Sequence, residues 1–239
     1  MHKLSSQRIN KILANYGICS RRKADHMIRN SEIFINGAIA EIGMKVNIDS
    51  DIIHVNGEEL KNLKIIPEVI LLNKPKNVIT TCSDNHNRKT IIDLLPEKYK
   101  KGFFPIGRLD FLSRGALLIT NNGEICNKLS HPKFEHKKIY IVKINGALNK
   151  KELNIWRYGI NLDGKKTYPC EIDLIQKDSK YTFLKITLKE GRNRQIRRII
   201  SLFGYKVLDL QRVNFANISL GSLKEGDWKL ININKMQNL

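Results

Sequence analysis

The chain of 239 residues holds only four cysteines, Cys19, Cys82, Cys126 and Cys170, spread far apart with no Cys-x-x-Cys pair. That spacing argues against a disulfide framework or a thiolate metal site, and the cysteines are expected to be reduced, small core residues. The six histidines show no ligand spacing either, so no metal is expected. No apolar run reaches membrane-spanning length, and the opening Met1-His2-Lys3-Leu4-Ser5-Ser6-Gln7 is not an apolar signal segment. A cytoplasmic chain with no membrane partner is expected. Acidic residues are scarce as well: 23 Asp and Glu face 42 Lys and Arg, a net charge of +19. Such an excess fits a polyanionic partner, but an acidic membrane surface or a codon preference for lysine also produces one, so placement along the chain has to decide.

What is present is enough for a globular protein. With 41% hydrophobic residues, the length suits one large domain or a small one plus a medium one. Ile9, Ile12, Leu13 and Tyr16 recur at helical spacing, on one face of a helix that Gly17 ends. Ser20 is placed to cap a second helix whose inner face is Ala24, Met27 and Ile28. Arg21, Arg22 and Lys23 fall in its first turn, where the helix dipole disfavours cations by roughly 0.3–1 kcal/mol each at low salt. Residues 1–31 carry seven cations, Arg8 and Lys11 among them, against one anion, Asp25, while residues 32–60 carry one cation against six anions. A phosphate backbone resting on that first turn would compensate the misplaced charge; a solvated basic face is the alternative. Ile33-Phe34-Ile35 and Ile52-Ile53-His54-Val55 read as short strands, each followed by an Asn-Gly hairpin turn. Weak periodicity over residues 58–67 reads as a linker.

Beyond residue 67 the pattern is mostly strands. Val69 to Asn73 reads as buried, Val78 to Thr81 as a second strand, and Thr90 to Leu95 as a helical turn. Lys74, in the turn between the two strands, can reach a phosphate or be solvated. The stretch from Phe104 to Gly123 organises the rest: Gly107-Arg108-Leu109-Asp110 precedes an aliphatic strand, Ala116 to Thr120. Asp110 therefore lies in a loop at a sheet edge, where most aspartates are caps or turn residues. Phe111 and Leu112 are expected to desolvate it in part, which demands a partner cation. A phosphatase-like nucleophile would need a second carboxylate two residues on to hold magnesium, and that position is Leu112. Short helices are expected over residues 123–129 and 149–158, the latter with Leu153 and Trp156 inward. Strands are expected over 138–144, 171–175, 182–188, 207–213 and 228–233, with Trp228 in the core. One more helix shows Ile196, Ile199, Ile200 and Phe203 on one face and Arg194, Arg197 and Arg198 on the other. Residues 185–212 hold eight cations against Glu190 and Asp209, and arginine, which predominates, suits bidentate contacts.

Three blocks in this order resemble the Rsu/Rlu-B type of pseudouridine synthase, which modifies ribosomal RNA. They are Gly107-Arg108-Leu109-Asp110 with Ser113 and the strand up to Thr120-Asn121-Asn122-Gly123; Lys138-Ile139-Tyr140-Ile141-Val142; and Glu190-Gly191-Arg192-Asn193-Arg194-Gln195-Ile196-Arg197-Arg198. Arg114-Gly115-Ala116 departs from the family's more usual Gly-Leu, which should affect packing. Cys19-Ser20-Arg21-Arg22-Lys23-Ala24, Phe34-Ile35-Asn36-Gly37 and Val55-Asn56-Gly57 resemble an S-four type RNA-binding domain.

The resemblance implies an α+β protein. A small α/β RNA-binding domain over residues 1–60 and a linker over 61–67 lead to a larger mixed, mainly antiparallel sheet flanked by helices over 68–239. Asp110 would act as nucleophile or base on a flipped-out uridine, with Arg192 keeping it ionised. Tyr140 would stack on the uracil and help remove the ring proton, with Ile196 packing behind. Arg108 would either support the loop or prise the base from its stack. RNA contacts are expected from Arg8, Lys11, Arg21, Arg22, Lys23, Lys74, Arg194, Arg197 and Arg198. No cofactor and no metal are implied. The implied partner is structured ribosomal RNA, of the large subunit by the Asn-Lys-Pro and Gly-Arg-Asn-Arg-Gln forms, with small-subunit or transfer RNA as alternatives, and the chain is expected to be a monomer. A rival from another class, a non-catalytic RNA-binding or ribosome-assembly protein with a degenerate synthase domain, predicts that one motif position is missing, and all three are present.

Overall fold

The computed structural model describes residues 6–61, 66–178 and 180–233. Most of the expected linker, residues 62–65, lies outside them. The chain divides into two compact units, Met1–Pro67 with Glu97–Phe103, and Glu68–Pro96 with Phe104–Leu239. Segment Glu97–Phe103, which the sequence reading kept with the larger domain, groups with the first unit.

In the first unit α1 (Ile9–Asn15) and α2 (Arg21–Arg29) form as the spacing predicts. Gly17 takes φ +69° after α1, and the Ser20 side chain accepts from the Lys23 N–H at 3.2 Å to cap α2. Ile9, Leu13, Ala24, Met27 and Ile28 share one core with Ile33, Ile35 and Ile53 of the strands. Strand Ile33–Ile35 pairs antiparallel with Ala38–Ile39 and Ile53–Val55, and the latter with Glu58–Glu59. Both Asn-Gly pairs have φ > 0 at each residue, the conformation that a two-residue hairpin matched to strand twist demands.

The second unit is built on a nine-stranded sheet. Its main order is Glu171–Lys177, Tyr181–Leu188, Lys138–Asn145, Val207–Phe215, Arg114–Thr120, Val69–Lys74 and Trp228–Ile231, with Phe104–Ile106 and Ile218–Ser219 paired at the side. One pairing, Val207–Phe215 with Arg114–Thr120, is parallel and the other described ones are antiparallel. Helices α3 (Gly123–Ser130), α4 (Lys150–Tyr158) and α5 (Gln195–Leu202) flank it. Val69–Lys74 is buried along its whole length, which is why its first four residues, Val69 to Leu72, are an unbroken apolar run rather than an alternating one.

The parallel pairing explains the unusual Arg114-Gly115-Ala116. Gly115 has φ +109°, and a Cβ there would lie 2.2 Å from the Arg212 carbonyl oxygen, so the two strands can approach only if this residue lacks a side chain. Several expectations are corrected. Residues 78–81 form no strand but a single bridge between Ile79 and Thr90. Trp228 lies on an edge strand and is half-buried. The cysteines are free, yet Cys82 is exposed and the others are only half-buried. The short helix expected over residues 123–129 does form, as α3, and Asn122 caps it by accepting from the Glu124 and Ile125 N–H groups.

Candidate active site

Asp110 sits in the loop between Phe104–Ile106 and Arg114–Thr120, and this loop is held carbonyl by carbonyl. Leu109 O accepts from the Thr80 hydroxyl at 2.7 Å, Asp110 O from Ser113 N at 3.0 Å and Phe111 O from Asn77 N at 2.8 Å. Leu112 O accepts from Arg197 Nη2 at 2.9 Å, and Ser113 O from Lys74 Nζ at 2.9 Å. Lys74 Nζ donates to Pro75 O and Asp110 O as well, at 2.8 and 3.3 Å. A loop with every one of these acceptors satisfied is pre-organised, as a reacting carboxylate requires.

Lys74 is 0% exposed and is not an RNA contact; it braces the aspartate loop from within, and its ammonium is consumed by three carbonyls. Burial pushes its pKa down to about 8, against the opposing pull of the Asp110 and Glu225 charges. Asp110 is itself only partly exposed, at 30% of its side chain, and its apolar neighbours Phe111 and Leu112 are 44% and 50% exposed.

The cations that meet Asp110 are Arg194 and Arg197. Arg194 Nη1 and Arg197 Nε each lie 3.7 Å from Asp110 Oδ2. Arg197 is only 12% exposed in its side chain, and burial lowers its pKa while the Asp110 charge opposes that shift. Arg192, the expected partner, is engaged otherwise: Nε donates to Glu190 Oε2 at 3.0 Å, Nη1 to Lys165 O at 2.7 Å, and Nη2 to Lys166 O. Glu190, two residues before it, captures the guanidinium and also accepts from Gln195 Nε2 and Tyr168 N. Arg192 thus shapes the turn before α5. Arg198 pairs with Asp163 Oδ1 at 2.5 Å, so it too is already matched within the protein. The spacing Arg194 to Arg197, one helical turn, was the available signal that two guanidinium groups converge on one point.

One cavity of about 390 Å³ brings most of the expected residues together: Arg108, Asp110, Tyr140, Arg192, Arg194, Ile196 and Arg197 all line it. That volume falls within the roughly 300–1,000 Å³ of small-molecule sites. Tyr140 is 8% exposed and Ile196 4%, which gives the cavity an aromatic and an aliphatic wall. Lys138, which opens the second motif block, and Arg212, which ends the second basic region, also line it, and neither is assigned a site role by the sequence alone. Arg8, Lys11, Arg21, Arg22 and Lys23 belong to the first unit. There Arg8, Arg21, Arg22 and Lys23 are exposed. Among the described residues no group of three or more His, Cys, Asp or Glu could hold a metal ion, and no helix is long and apolar enough to cross a membrane.

Comparison with known proteins identifies the family. The family model for RNA pseudouridylate synthase matches residues 68–202, and that for the S4 domain matches residues 7–53. Ribosomal large subunit pseudouridine synthase B of Bacillus subtilis is 38% identical, over 98% of this chain and 95% of its own. The dual-specificity RNA pseudouridine synthase RluF of Escherichia coli is 36% identical, over 94% of this chain and 75% of its own. A crystal structure of a pseudouridylate synthase superposes with a TM-score of 0.70 at 25% identity, over 97% of this chain and 99% of that one. By the family models, the relatives and the fold, the chain belongs to the RNA pseudouridylate synthases, a family of isomerases, with an S4 domain at its amino-terminal end.

Proposed function

We propose that this protein converts a uridine of ribosomal RNA, in the large subunit, to pseudouridine, with Asp110 as the reacting group. The names of the two relatives support the RNA class. The observation that carries the reading is that Asp110, Tyr140 and two guanidinium groups border one cavity at the end of a braced loop. Asp110, as nucleophile or base, opens the bond between ribose C1′ and uracil N1; the ring turns and rejoins through C5. Arg197, assisted by Arg194, keeps the carboxylate ionised, the role first expected of Arg192. Tyr140 lies against the uracil and takes part in removing the C5 proton, with Ile196 behind it. Arg108, exposed at the cavity rim, is free to approach the RNA strand from which the nucleotide is turned out. The reaction changes neither oxidation state nor net composition, so side chains suffice and no cofactor is invoked.

Residues 1–60, joined through 61–67 to the catalytic residues 68–239, would hold structured RNA by its backbone, with Arg8, Lys11, Arg21, Arg22 and Lys23 on phosphates. The protein is taken to act as a monomer in the cytoplasm. The test is a map of pseudouridines in ribosomal and transfer RNA from cells with and without the gene, and from cells carrying Asp110→Asn. One large-subunit site should vanish in the last two. An unchanged map, or a site restored by Asp110→Asn, refutes the reading.

A further inference from the structure

One wall of the cavity carries positive charge that, among the described residues, is not paired with a carboxylate. Tyr140 and Arg212 are direct cross-strand partners, so their side chains stand beside each other on one face of the sheet. Lys138, two residues before Tyr140, shares that face, and all three border the cavity. Arg212 is 3% exposed. Its Nε donates to Ala116 O at 2.7 Å, and its guanidinium carbon sits 4.8 Å from the Phe215 ring centroid. Its Nη2 is buried with no hydrogen-bond partner. A buried cationic donor left unmet is costly, and the residue that carries it is one of those lining the cavity. Lys138 Nζ donates to His136 O at 2.9 Å and stands 5.5 Å from the same Phe215 ring.

We propose that Arg212, assisted by Lys138, receives the negative charge that develops on the uracil ring when its bond to ribose opens, Nη2 donating to a ring carbonyl oxygen. The inference rests on the pseudouridine synthase reading above. When the C1′–N1 bond breaks, its electron pair stays with the uracil, and N1 shares the charge with the ring oxygens. Asp110 makes good the electron deficit on the sugar until C5 supplies the new bond. C5 then gives up its proton, N1 gains one, and the ring is neutral again. The cations are needed only between two neutral ends, the condition under which a contact accelerates a reaction rather than merely binding its substrate. The low pKa of Lys138, about 8 through burial and then the charge of Arg212, with Glu190 opposing, fits a site whose positive charge awaits an anion.

The experiment is single-turnover conversion of ribosomal RNA transcripts containing either uridine or 5-fluorouridine, read as loss of the original nucleoside. The fluorine makes the ring a better bearer of negative charge. Wild type, Asp110→Asn, Arg212→Gln and Lys138→Gln are compared, with RNA affinity and thermal melting measured for each. Conversion by wild type and none by Asp110→Asn establishes the parent reading; no conversion by wild type ends both. Arg212→Gln should bind RNA as wild type does and convert uridine about 100-fold more slowly. That deficit should shrink to about tenfold or less on the fluorinated ring, because less stabilisation is then lost. Arg212 also bonds Ala116 O, so a merely structural role is the competing account. It predicts an equal slowing on both substrates, or an unchanged rate in folded protein, and either result overturns the proposal. Should Arg212→Gln fail to fold, Lys138→Gln decides by the same criterion, contracting on 5-fluorouridine from an expected deficit of about tenfold.

Discussion

Helices α2 and α5 both open in cations and neither has an acidic residue in its first turn: Arg21, Arg22 and Lys23 in one, Arg194 at the cap with Arg197 and Arg198 behind it in the other. On α2 all three side chains are exposed and none forms an ion pair among the described residues. On α5 the run is absorbed by the protein itself. Arg197 holds the Leu112 carbonyl and faces Asp110 together with Arg194, and Arg198 pairs with Asp163. Two stretches of similar charge therefore differ in kind: one offers its cations outward, and the other spends them on arranging a carboxylate. Cations left without acceptors by the fold are the ones whose field reaches solvent unneutralised.

The sharpest way to break that contrast is at the carboxylate α5 serves. Asp110→Asn should abolish pseudouridine formation while RNA affinity measured by filter binding changes little; retained turnover would end the assignment of Asp110. Next comes Arg197→Gln. If α5 works internally, single-turnover rate falls about 100-fold, some 2.7 kcal/mol of barrier, with little effect on RNA affinity. A loss in affinity without a loss in rate would return Arg197 to the RNA surface. Lys74→Met tests the brace beneath the loop. It leaves buried carbonyls without donors, so unfolding in urea should show a cost of about 1–3 kcal/mol, accompanied by slower turnover.

On α2 the expected effects are smaller and of the opposite type. Replacing Arg21, Arg22 and Lys23 together by alanine should weaken RNA binding and lower the salt dependence of log K by about 2, at roughly 0.7–0.9 per phosphate contact, with the rate of bound RNA unchanged. A slower chemical step in that variant would erase the distinction between the helices. The mildest perturbation is pH. Lys74 and Lys138 lose their protons near pH 8 in the folded protein, against 10.5 ordinarily. Turnover should therefore decline as pH rises through about 8. Their contribution to stability moves the other way: between about 8 and 10.5 the unfolded chain binds more protons than the folded one, so these two groups favour folding as pH rises. An alkaline loss of rate that coincides with loss of melting temperature would count against the assignment.

Much of this was legible in the chain. The α1 and α2 faces, the Ser20 cap, the Asn-Gly hairpins and the Arg114–Thr120 strand rest on local spacing, which a fold seldom overrides where caps and periodicity agree. The three motif blocks pointed to Asp110 and Tyr140, and both line the cavity. The sequence reading failed where a residue's role depends on a distant partner. Arg192 adjoins the motif's glycine, yet the Lys165 and Lys166 carbonyls, 27 and 26 residues back, take its guanidinium together with Glu190. Lys74 looked like a turn cation, since nothing near it in sequence announces that three carbonyls 1 to 39 residues away will enclose it. Arg212 stood alone in a strand, with no motif to mark it.

The sequence by itself determined the helices and most of the longer strands, where the aspartate loop lies, and that the first helical pair would be basic, because each depends on neighbours a few residues apart. Tertiary structure alone decided which guanidinium meets Asp110, which lysine is buried beneath its loop, and that Arg212 stands beside Tyr140. Those outcomes are set by pairings between segments up to about a hundred residues apart, Gly115 with Arg212 and Tyr140 with Arg212. Charge acts through space and burial, and neither distance nor burial is written in the order of residues.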